Sequence, residues 1–211
     1  MSVSAKAVIR CSKCQKEYEA TVYQTVDTDL REDTAGAIIT WELFRQTCPH
    51  CGNTVTLNYP LLYHDKVHSA VVWVAPAEAG REAKLAEMRK NMALAGHTTR
   101  MVAGLDQLRE KVSALETGRD DRVLELLKWS LVQNLQKQMP DFKLREVLYL
   151  CLDGEEAFHF YSTAGEYLHS PLVEEQYAFV AEKFAKQLKT LQNAVYPEVN
   201  YLWASTLWAN Q

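Results

Sequence analysis

The chain has 211 residues, of which 47% are hydrophobic and 24% are charged, and its formal net charge is −4. This composition is that of an ordinary globular protein, and the weak negative charge disfavours nucleic acid as a partner. The first residues lack the apolar run of a signal peptide, and no window approaches the roughly 18 apolar residues that span a bilayer. We therefore expect a cytoplasmic protein without membrane association, in which spaced cysteines bind a metal or act in redox chemistry.

The first third of the chain has the alternating apolar pattern of half-buried strands. Strands are predicted over residues 5–10, 17–26, 38–47, 55–59 and 71–74. The acidic stretch from Asp27 to Ala37 interrupts this pattern and is expected to be a loop or a short helix. The composition then changes at Pro76, after which helix-forming residues dominate. We place a domain boundary there, between residues 1–76 and residues 77–211.

The second part is predicted to begin with helices and to continue with a hairpin and a long helix. The helices are expected over residues 77–95, 105–115 and 121–138, and Asp120 is a favourable N-cap for the third. Asp153-Gly154 lies between two apolar runs, which is a strong signal for a hairpin near 145–161. Ser170-Pro171 predicts the start of a long helix near 171–192. The sequence as a whole therefore predicts an α+β fold.

The last sixteen residues, 196–211, are rich in aromatic side chains. Tyr201, Trp203 and Trp208 lie in this short segment. Such a concentration predicts docking, either onto the core of the same chain or onto a partner. A protein partner or a second copy of the chain are both compatible with the pattern.

Four cysteines form two closely spaced pairs that are far apart in the chain. Cys11 and Cys14 are separated by two residues, and so are Cys48 and Cys51. A two-residue spacer lets both sulfurs of a turn point at one ion, and four thiolates suit the tetrahedral geometry of zinc. We expect one structural Zn²⁺ in a zinc ribbon, with the segment after Asp27 as an insertion. An iron centre of the rubredoxin kind and a redox dithiol are the alternatives.

The same region resembles the CpXC domain family of bacterial proteins. The resemblance rests on the first cysteine pair and on residues 43–52, 57–65, 100–102, 108–111 and 118–122, and it covers roughly residues 5–130. It implies a zinc-ribbon-like fold and no particular reaction. Only the second pair has the complete Cys-Pro-X-Cys pattern, because Ser12 replaces the proline in the first.

A second set of candidate residues is charged and lies at the predicted start of the third helix. This possible polar interaction cluster consists of Arg119, Asp120, Asp121, Arg122 and Lys128. The cluster could bind a polar ligand or connect the two modules. Its simpler interpretation is an N-cap together with acidic residues that complement the helix dipole.

Three smaller features have both a functional and a structural interpretation. His64, Asp65 and His68 could form a second metal site or an acid–base group, but a turn in which Asp65 caps its own backbone is favoured. His159 is expected to be a satisfied strand histidine, and Cys151 a small hydrophobic residue.

Three functions are considered. A closed four-thiolate site favours a non-enzymatic structural or regulatory interaction module. The alternative is a nucleic-acid-binding zinc ribbon, in which basic residues near the two turns contact phosphates and two tyrosines stack on bases. The basic residues are Arg10, Lys13, Lys16 and Arg45, and the tyrosines are Tyr18 and Tyr23. An enzyme that uses the charged cluster and His159 is the weakest hypothesis.

Overall fold

The computed structural model describes residues 2–76, 81–90, 96–189 and 196–210. Within them the chain is a mixture of helices and strands, with a β-rich N-terminal region that carries the cysteines and helices after it. The fold class is therefore the α+β class that the sequence predicts. None of the described helices is both long and apolar enough to cross a membrane.

The chain divides into two compact units, residues Met1–Leu108 and Arg109–Gln211. The predicted boundary at Pro76 is earlier than this division. Strand β7, Thr98–Val102, pairs in parallel with β6, Ala70–Val74, so the sheet of the first unit continues beyond residue 76. Whether residues 1–76 fold independently stays a prediction.

The first unit contains a five-stranded sheet with the order β1-β2-β5-β6-β7. Its remaining strands are β1 Val3–Arg10, β2 Glu17–Asp27 and β5 Leu61–Asp65. β1 and β2 form an antiparallel hairpin, and β2 pairs in parallel with β5. All five residues of β6 are buried, as expected for a central strand with a continuous apolar run.

A two-stranded sheet, β3 Arg45–Thr47 and β4 Thr54–Thr56, forms a second hairpin in this unit. Helix α1, Thr34–Ile39, precedes it, and the Asp33 carboxylate caps this helix by accepting the Gly36 N–H at 2.8 Å. A Cβ on Gly36 would clash with that carboxylate, so a larger residue there would displace the cap.

The predicted strand over residues 38–47 is wrong for most of its length. Its first residues end α1, and a single 3₁₀ turn occupies Glu42–Phe44. Trp41 has a φ of 69°, which breaks any extended conformation before this turn. Only the last three residues of the predicted strand are β structure.

Three helices connect or follow these sheets. α2 is Arg81–Lys90, α3 is Leu105–Glu116 and α4 is Asp121–Gln138. The ends of the predicted helix over 77–95 lie outside the described residues. The division between the two units falls within α3. Asp120 caps α4 as expected, because its side chain accepts the Arg122 N–H at 3.0 Å.

The second unit packs helices against a three-stranded antiparallel sheet with the order β10-β9-β8. These strands are β8 Leu144–Leu152, β9 Glu155–Ser162 and β10 Tyr167–Pro171. The hairpin expected across Asp153-Gly154 joins β8 to β9, and both turn residues have positive φ, 52° and 82°. This is the backbone of a type I′ turn.

The long helix predicted near 171–192 begins later in the structure than the sequence predicts. Pro171 pairs with Ala157 in β10, and helix α5 begins only at Glu174, so Ser170 is not an N-cap. The described helices after β10 are α5 Glu174–Lys183, α6 Ala185–Leu188 and α7 Tyr201–Ala209. The end of the predicted helix, residues 190–192, lies outside the described residues.

Candidate metal centre

The four paired cysteines lie at the tips of two hairpins of the first unit, β1–β2 and β3–β4. Cys11 follows β1 directly, and Cys48 follows β3 directly. Both of these residues are almost completely buried, with 2% and 1% of their surface exposed. Cys14 and Cys51, at the far side of each turn, are half-buried.

The two turns have the same backbone hydrogen bonds. The N–H of Cys11 donates to the carbonyl of Lys16 at 3.0 Å, and the N–H of Cys48 donates to that of Asn53 at 2.8 Å. The residue after the second cysteine of each turn donates back to the first cysteine's carbonyl at 2.9 Å, from Gln15 in one turn and Gly52 in the other. The two turns therefore have equivalent backbones, although more than thirty residues separate them in the sequence.

The sulfur atoms of the two turns converge on one point. The Sγ atoms of Cys11 and Cys51 are 3.6 Å apart, and those of Cys14 and Cys48 are 3.7 Å apart. All four sulfurs lie within 4.8 Å of one another. A tetrahedral ion with metal–sulfur bonds of about 2.3 Å would have sulfur–sulfur edges of about 3.8 Å. The donor set and its spacing therefore fit one tetrahedral metal ion.

The electrostatics of the site also favour a cation. The backbone N–H of Cys14 lowers the pKa of the Cys11 thiol to about 6, against the opposing effect of burial. At Cys51 the N–H of Asn53 acts in the same direction, but burial and the neighbouring sulfurs outweigh it and raise the pKa to about 11. Four sulfurs this close cannot all ionise without a positive charge among them. A divalent ion would remove that repulsion.

Tyr18 of β2 packs against the sulfur site. It forms one buried cluster with Cys11, Ala20 and Cys48. Burial raises the pKa of its hydroxyl, and the charges of all four cysteines raise it further. The sequence hypothesis of a base-stacking Tyr18 does not fit this position, because the side chain is only 9% exposed.

The family model described as CpXC protein matches residues 9–128, which is more than half of the chain and includes both cysteine turns. The chain belongs to the CpXC family. No curated protein and no solved structure matches it.

The CpXC match extends through α3 into α4, where charged side chains are buried. Glu110, Lys111, Glu125 and Lys128 are each at most 4% exposed. Lys128 Nζ lies 2.5 Å from Glu110 and 3.0 Å from Glu125, and Lys111 Nζ lies 3.2 Å from Glu125 and 3.0 Å from Asp121. The two lysines and three carboxylates thus form one continuous network.

Burial and the two lysines act in opposite directions on the pKa values of Glu110 and Glu125. Burial raises the pKa of Glu110 to about 7, although Lys128 opposes the shift. Burial also acts to raise the pKa of Glu125, but the charges and hydrogen bonds of Lys128 and Lys111 outweigh it and hold this pKa below its usual value. The remaining hydrogen bond of Glu110 comes from the backbone N–H of Tyr149 at 2.7 Å. Two residues of the predicted polar cluster, Asp121 and Lys128, belong to this ion-pair network.

The other three residues of the predicted polar cluster have different partners. Arg119 binds Glu156 through two hydrogen bonds of 2.8 and 3.0 Å and approaches Glu174 at 2.8 Å. The Asp120 carboxylate holds the Arg122 guanidinium at 2.6 Å. The five residues therefore take part in separate ion pairs within the second unit. A ligand-binding role for them stays a prediction.

The structure supports the capping interpretation of the histidine-rich segment. Asp65 accepts the backbone N–H groups of Val67 and His68 at 3.0 and 2.9 Å. Its other oxygen lies 2.9 Å from the ring of His68. His64 points instead to the buried Asp27, with an Nδ1–Oδ1 distance of 3.1 Å.

His159 has a partner within its own sheet. Its Nδ1 lies 2.8 Å from the hydroxyl of Tyr167, and burial lowers its pKa. The Nδ1 atom is thus satisfied as the sequence predicts, whereas the buried Nε2 atom has no hydrogen-bond partner among the described residues. Cys151 is half-buried in β8, and its backbone N–H donates to Ser113 at 3.3 Å.

The aromatic C-terminal segment packs on the core of its own unit. Trp208 stacks on Trp129 with ring centroids 5.1 Å apart, and its indole N–H donates to the carbonyl of Leu126 at 3.0 Å. Tyr201 and Trp203 also pack against this core. Of the two interpretations of the segment, the described residues show docking onto the chain itself.

Tyr18 has a different role from the one that the sequence predicts, and Glu110, Glu156 and the pairing role of Asp27 are not predicted by the sequence. Glu110 is off the apolar stripe that identifies α3, so the helical period gave no sign that it is buried. The alternation in β2 did place Tyr18 on the inward face. That signal indicates burial, but it does not indicate which atoms surround the hydroxyl.

Proposed function

We propose that the CpXC chain is a non-enzymatic structural or regulatory interaction module organised by one Zn²⁺ ion. The observation that carries the proposal is the convergence of the sulfurs of Cys11, Cys14, Cys48 and Cys51. Four thiolates fill a tetrahedral coordination sphere, so they leave no open position for a substrate or an activated water. The ion would hold the tips of two hairpins together.

Zinc is favoured over iron by affinity. Zn²⁺ binds a given divalent site more tightly than Fe²⁺ does, and thiolate ligands suit it well. Elemental analysis of the purified, untagged protein is the direct test. We expect one zinc per chain and a colourless sample. Stoichiometric iron would overturn the assignment of the metal, and a folded protein without metal would overturn the proposal.

The interaction role is supported by a groove of mixed polarity on the second unit, beside an exposed phenyl ring. A groove of about 320 Å³ is lined by residues of α4 and α5 and by Trp208. Phe179 forms one wall of it and is 61% exposed. Because the same face offers both a groove and a protruding ring, a second copy related by a two-fold axis could insert each Phe179 into the other's groove.

The interaction role can therefore be tested by measuring self-association of the chain. Sedimentation velocity of the full chain should show a concentration-dependent dimer, and Phe179→Ser should shift it towards monomer. Leu202→Ser is the matched control, since Leu202 is 72% exposed but does not line the groove. A wild-type protein that stays monomeric at all concentrations would contradict dimerisation through this groove.

Nucleic-acid binding is less well supported. Arg10 is paired with Glu17 at 3.3 Å, and Arg45 donates to the carbonyl of Thr40 at 3.2 Å, so both have partners within the chain. Lys13 and Lys16 are exposed beside the first turn. Retention of single-stranded oligonucleotides that weakens with rising salt would revive this alternative.

A further inference from the structure

Each sulfur contact between the two cysteine turns joins a buried cysteine to a half-buried one. The first cysteines of the turns, Cys11 and Cys48, are only 2% and 1% exposed. The second cysteines, Cys14 and Cys51, are half-buried. The Sγ atoms in contact are those of Cys11 and Cys51, at 3.6 Å, and those of Cys14 and Cys48, at 3.7 Å. The first cysteine of each turn therefore meets the second cysteine of the other turn.

Solvent reaches the sulfur site from the side of Cys14 and Cys51. Both chain neighbours of each of these two residues are exposed. The thiolate is the form of cysteine that reacts with oxidants, and accessible thiolates react before buried ones. A small dissolved oxidant therefore meets two accessible sulfurs, each of which has a buried sulfur in contact with it. This is the arrangement of an attacking cysteine beside a resolving cysteine.

We propose that the four-cysteine site is a reversible oxidation site, at which peroxide links the two turns through Cys11–Cys51 and Cys14–Cys48 disulfides and releases the metal. The inference rests on the proposed Zn²⁺ site. It adds a chemical signal, a peroxide, that controls whether the hairpin tips are joined by a metal ion or by covalent bonds.

The oxidation balances with hydrogen peroxide as the only oxidant. In each pair the half-buried thiolate attacks one peroxide oxygen and the O–O bond breaks, which leaves a sulfenic acid on the sulfur and a hydroxide. The buried thiolate then attacks the sulfenic sulfur, forms the S–S bond and expels a second hydroxide. Two protons convert both hydroxides to water. The sulfurs of a disulfide carry no negative charge and no longer bind a divalent ion.

The sulfur contacts favour bridges between the turns over bridges within them. A disulfide bond is about 2.05 Å long, so each contacting pair has to approach by only about 1.6 Å. The two pairs share no sulfur, so both bridges can form in one molecule. They join cysteines that are 40 and 34 positions apart, and cross-links across such long loops restrict the unfolded chain strongly. The hairpin tips therefore stay together after the metal has left.

The first test titrates full-length, zinc-loaded wild type with hydrogen peroxide. A chromogenic chelator measures the released zinc, and mass spectrometry of unreduced peptides identifies the bridges. We expect two peroxides consumed for each zinc released, and recovery of zinc binding after a thiol reductant. Zinc that stays bound while peroxide oxidises other residues would overturn the inference. A wild type that carries no metal before treatment would instead overturn the proposed metal site.

The sequence lets the peptide map distinguish the possible bridges. Trypsin cleaves after Lys13, between the two cysteines of the first turn, whereas no lysine or arginine lies between Cys48 and Cys51. Bridges between the turns join both short peptides of the first turn to the peptide of the second turn, and fragmentation of that species assigns each partner. Bridges within the turns, or the pairing of Cys11 with Cys48, would overturn the inference.

The fifth cysteine supplies the matched control. Cys151 lies in β8 of the second unit, so zinc release from Cys151→Ala should proceed at the wild-type rate. Slower release would show that oxidation begins at Cys151 and would overturn the attack on the turn sulfurs. With peroxide below stoichiometry, a 1,3-diketone that traps sulfenic acids should label Cys14 and Cys51. Labelling of Cys11 and Cys48 instead would also contradict the proposed order of attack.

Hydrogen exchange separates the oxidised protein from the reduced, metal-free protein. Oxidised wild type should keep the amide protection of β3 and β4, because the bridges hold the tips together. Wild type stripped of zinc by a chelator under reducing conditions should lose that protection. Equal loss of protection in both samples would show that the oxidised turns are not joined.

Discussion

Gln15 and Gly52 occupy the same place in the two cysteine turns, and both have a left-handed backbone. Their φ angles are 61° and 70°. A Cβ on Gly52 would meet no atom within 4 Å, so steric space does not require glycine. The positive φ does favour it, since other L-residues adopt this conformation at a cost. Gln15 accepts that cost in the first turn, where its side-chain amide donates to the Ser12 carbonyl at 2.9 Å.

Gly52→Ala should therefore destabilise the metal-loaded protein by about 1 kcal/mol through backbone conformation alone. Chemical denaturation followed by tyrosine and tryptophan fluorescence measures this change. Gln15→Ala is the matched control, because it keeps a non-glycine residue at the positive φ and loses only one exposed hydrogen bond. We expect it to cost less than about 0.5 kcal/mol. Equal effects of the two substitutions would show that φ does not decide the preference.

Cys48→Ala should abolish stoichiometric metal binding and unfold the two hairpin tips. Metal binding at structural sites of this kind supplies folding free energy, and three thiolates hold the ion less well than four. Elemental analysis and hydrogen exchange of the amides in β3 and β4 measure the two effects. Cys151→Ala removes a thiol from the second unit and is the control. Full metal occupancy in Cys48→Ala would show that Cys48 is not a ligand.

The cysteine turns could be predicted because their information is local. A two-residue spacer and flanking strand patterns lie within about ten residues, and the structure builds each turn from that segment. β5 could not be predicted in the same way. It contains polar residues at Tyr63, His64 and Asp65, and one of its two partners, β2, is some forty residues away, with Thr25 opposite Leu62. Long-range parallel pairing leaves no short-range signal.

Pro171 is compatible with either a helix or a strand, so the sequence predicts a helix where the chain forms β10. Proline after serine is typical of a helix start, but proline is also tolerated in an edge strand, where its missing N–H disrupts no ladder. β10 is such an edge strand. The buried ion pairs also could not be predicted from local sequence, because Lys128 pairs with Glu110 on another helix as well as with Glu125 three residues away.

Glu110 should make the stability of the protein depend on pH. Its folded pKa is about 7, above the value of about 4.5 for an unperturbed glutamate. The folded state thus binds more protons than the unfolded state between these pH values, so this contribution to stability is lost as pH rises. Relative to Glu110→Gln, the unfolding free energy of wild type should fall by up to about 3 kcal/mol from pH 4.5 to 7.

Comparing the two proteins at each pH cancels the pH dependence of metal binding, which they share. The same substitution at the exposed Glu155 controls for the loss of one negative charge. A difference between wild type and Glu110→Gln that stays constant from pH 4.5 to 7 would contradict the raised pKa.

Arg119→Lys should be destabilising although the charge is kept. Only a guanidinium can make the two parallel hydrogen bonds to Glu156 and stack on Tyr177, whose ring centroid lies 4.9 Å away. We expect a loss of about 1–2 kcal/mol by chemical denaturation. Glu174→Gln removes the more exposed partner of the same arginine and should cost less than about 0.5 kcal/mol. If Arg119→Lys is neutral, the bidentate geometry contributes nothing to stability.

Trp208→Ala tests whether the C-terminal aromatic residues stabilise the chain itself. The indole stacks on Trp129, meets Phe184 edge-on with ring centroids 4.9 Å apart, and hydrogen-bonds a helix carbonyl. Its truncation should cost about 2–4 kcal/mol in monomeric protein, measured by chemical denaturation at low concentration. Leu202→Ala, on the same helix but 72% exposed, should cost less than about 0.5 kcal/mol. Unchanged stability of Trp208→Ala would contradict a stabilising role of the indole within the chain.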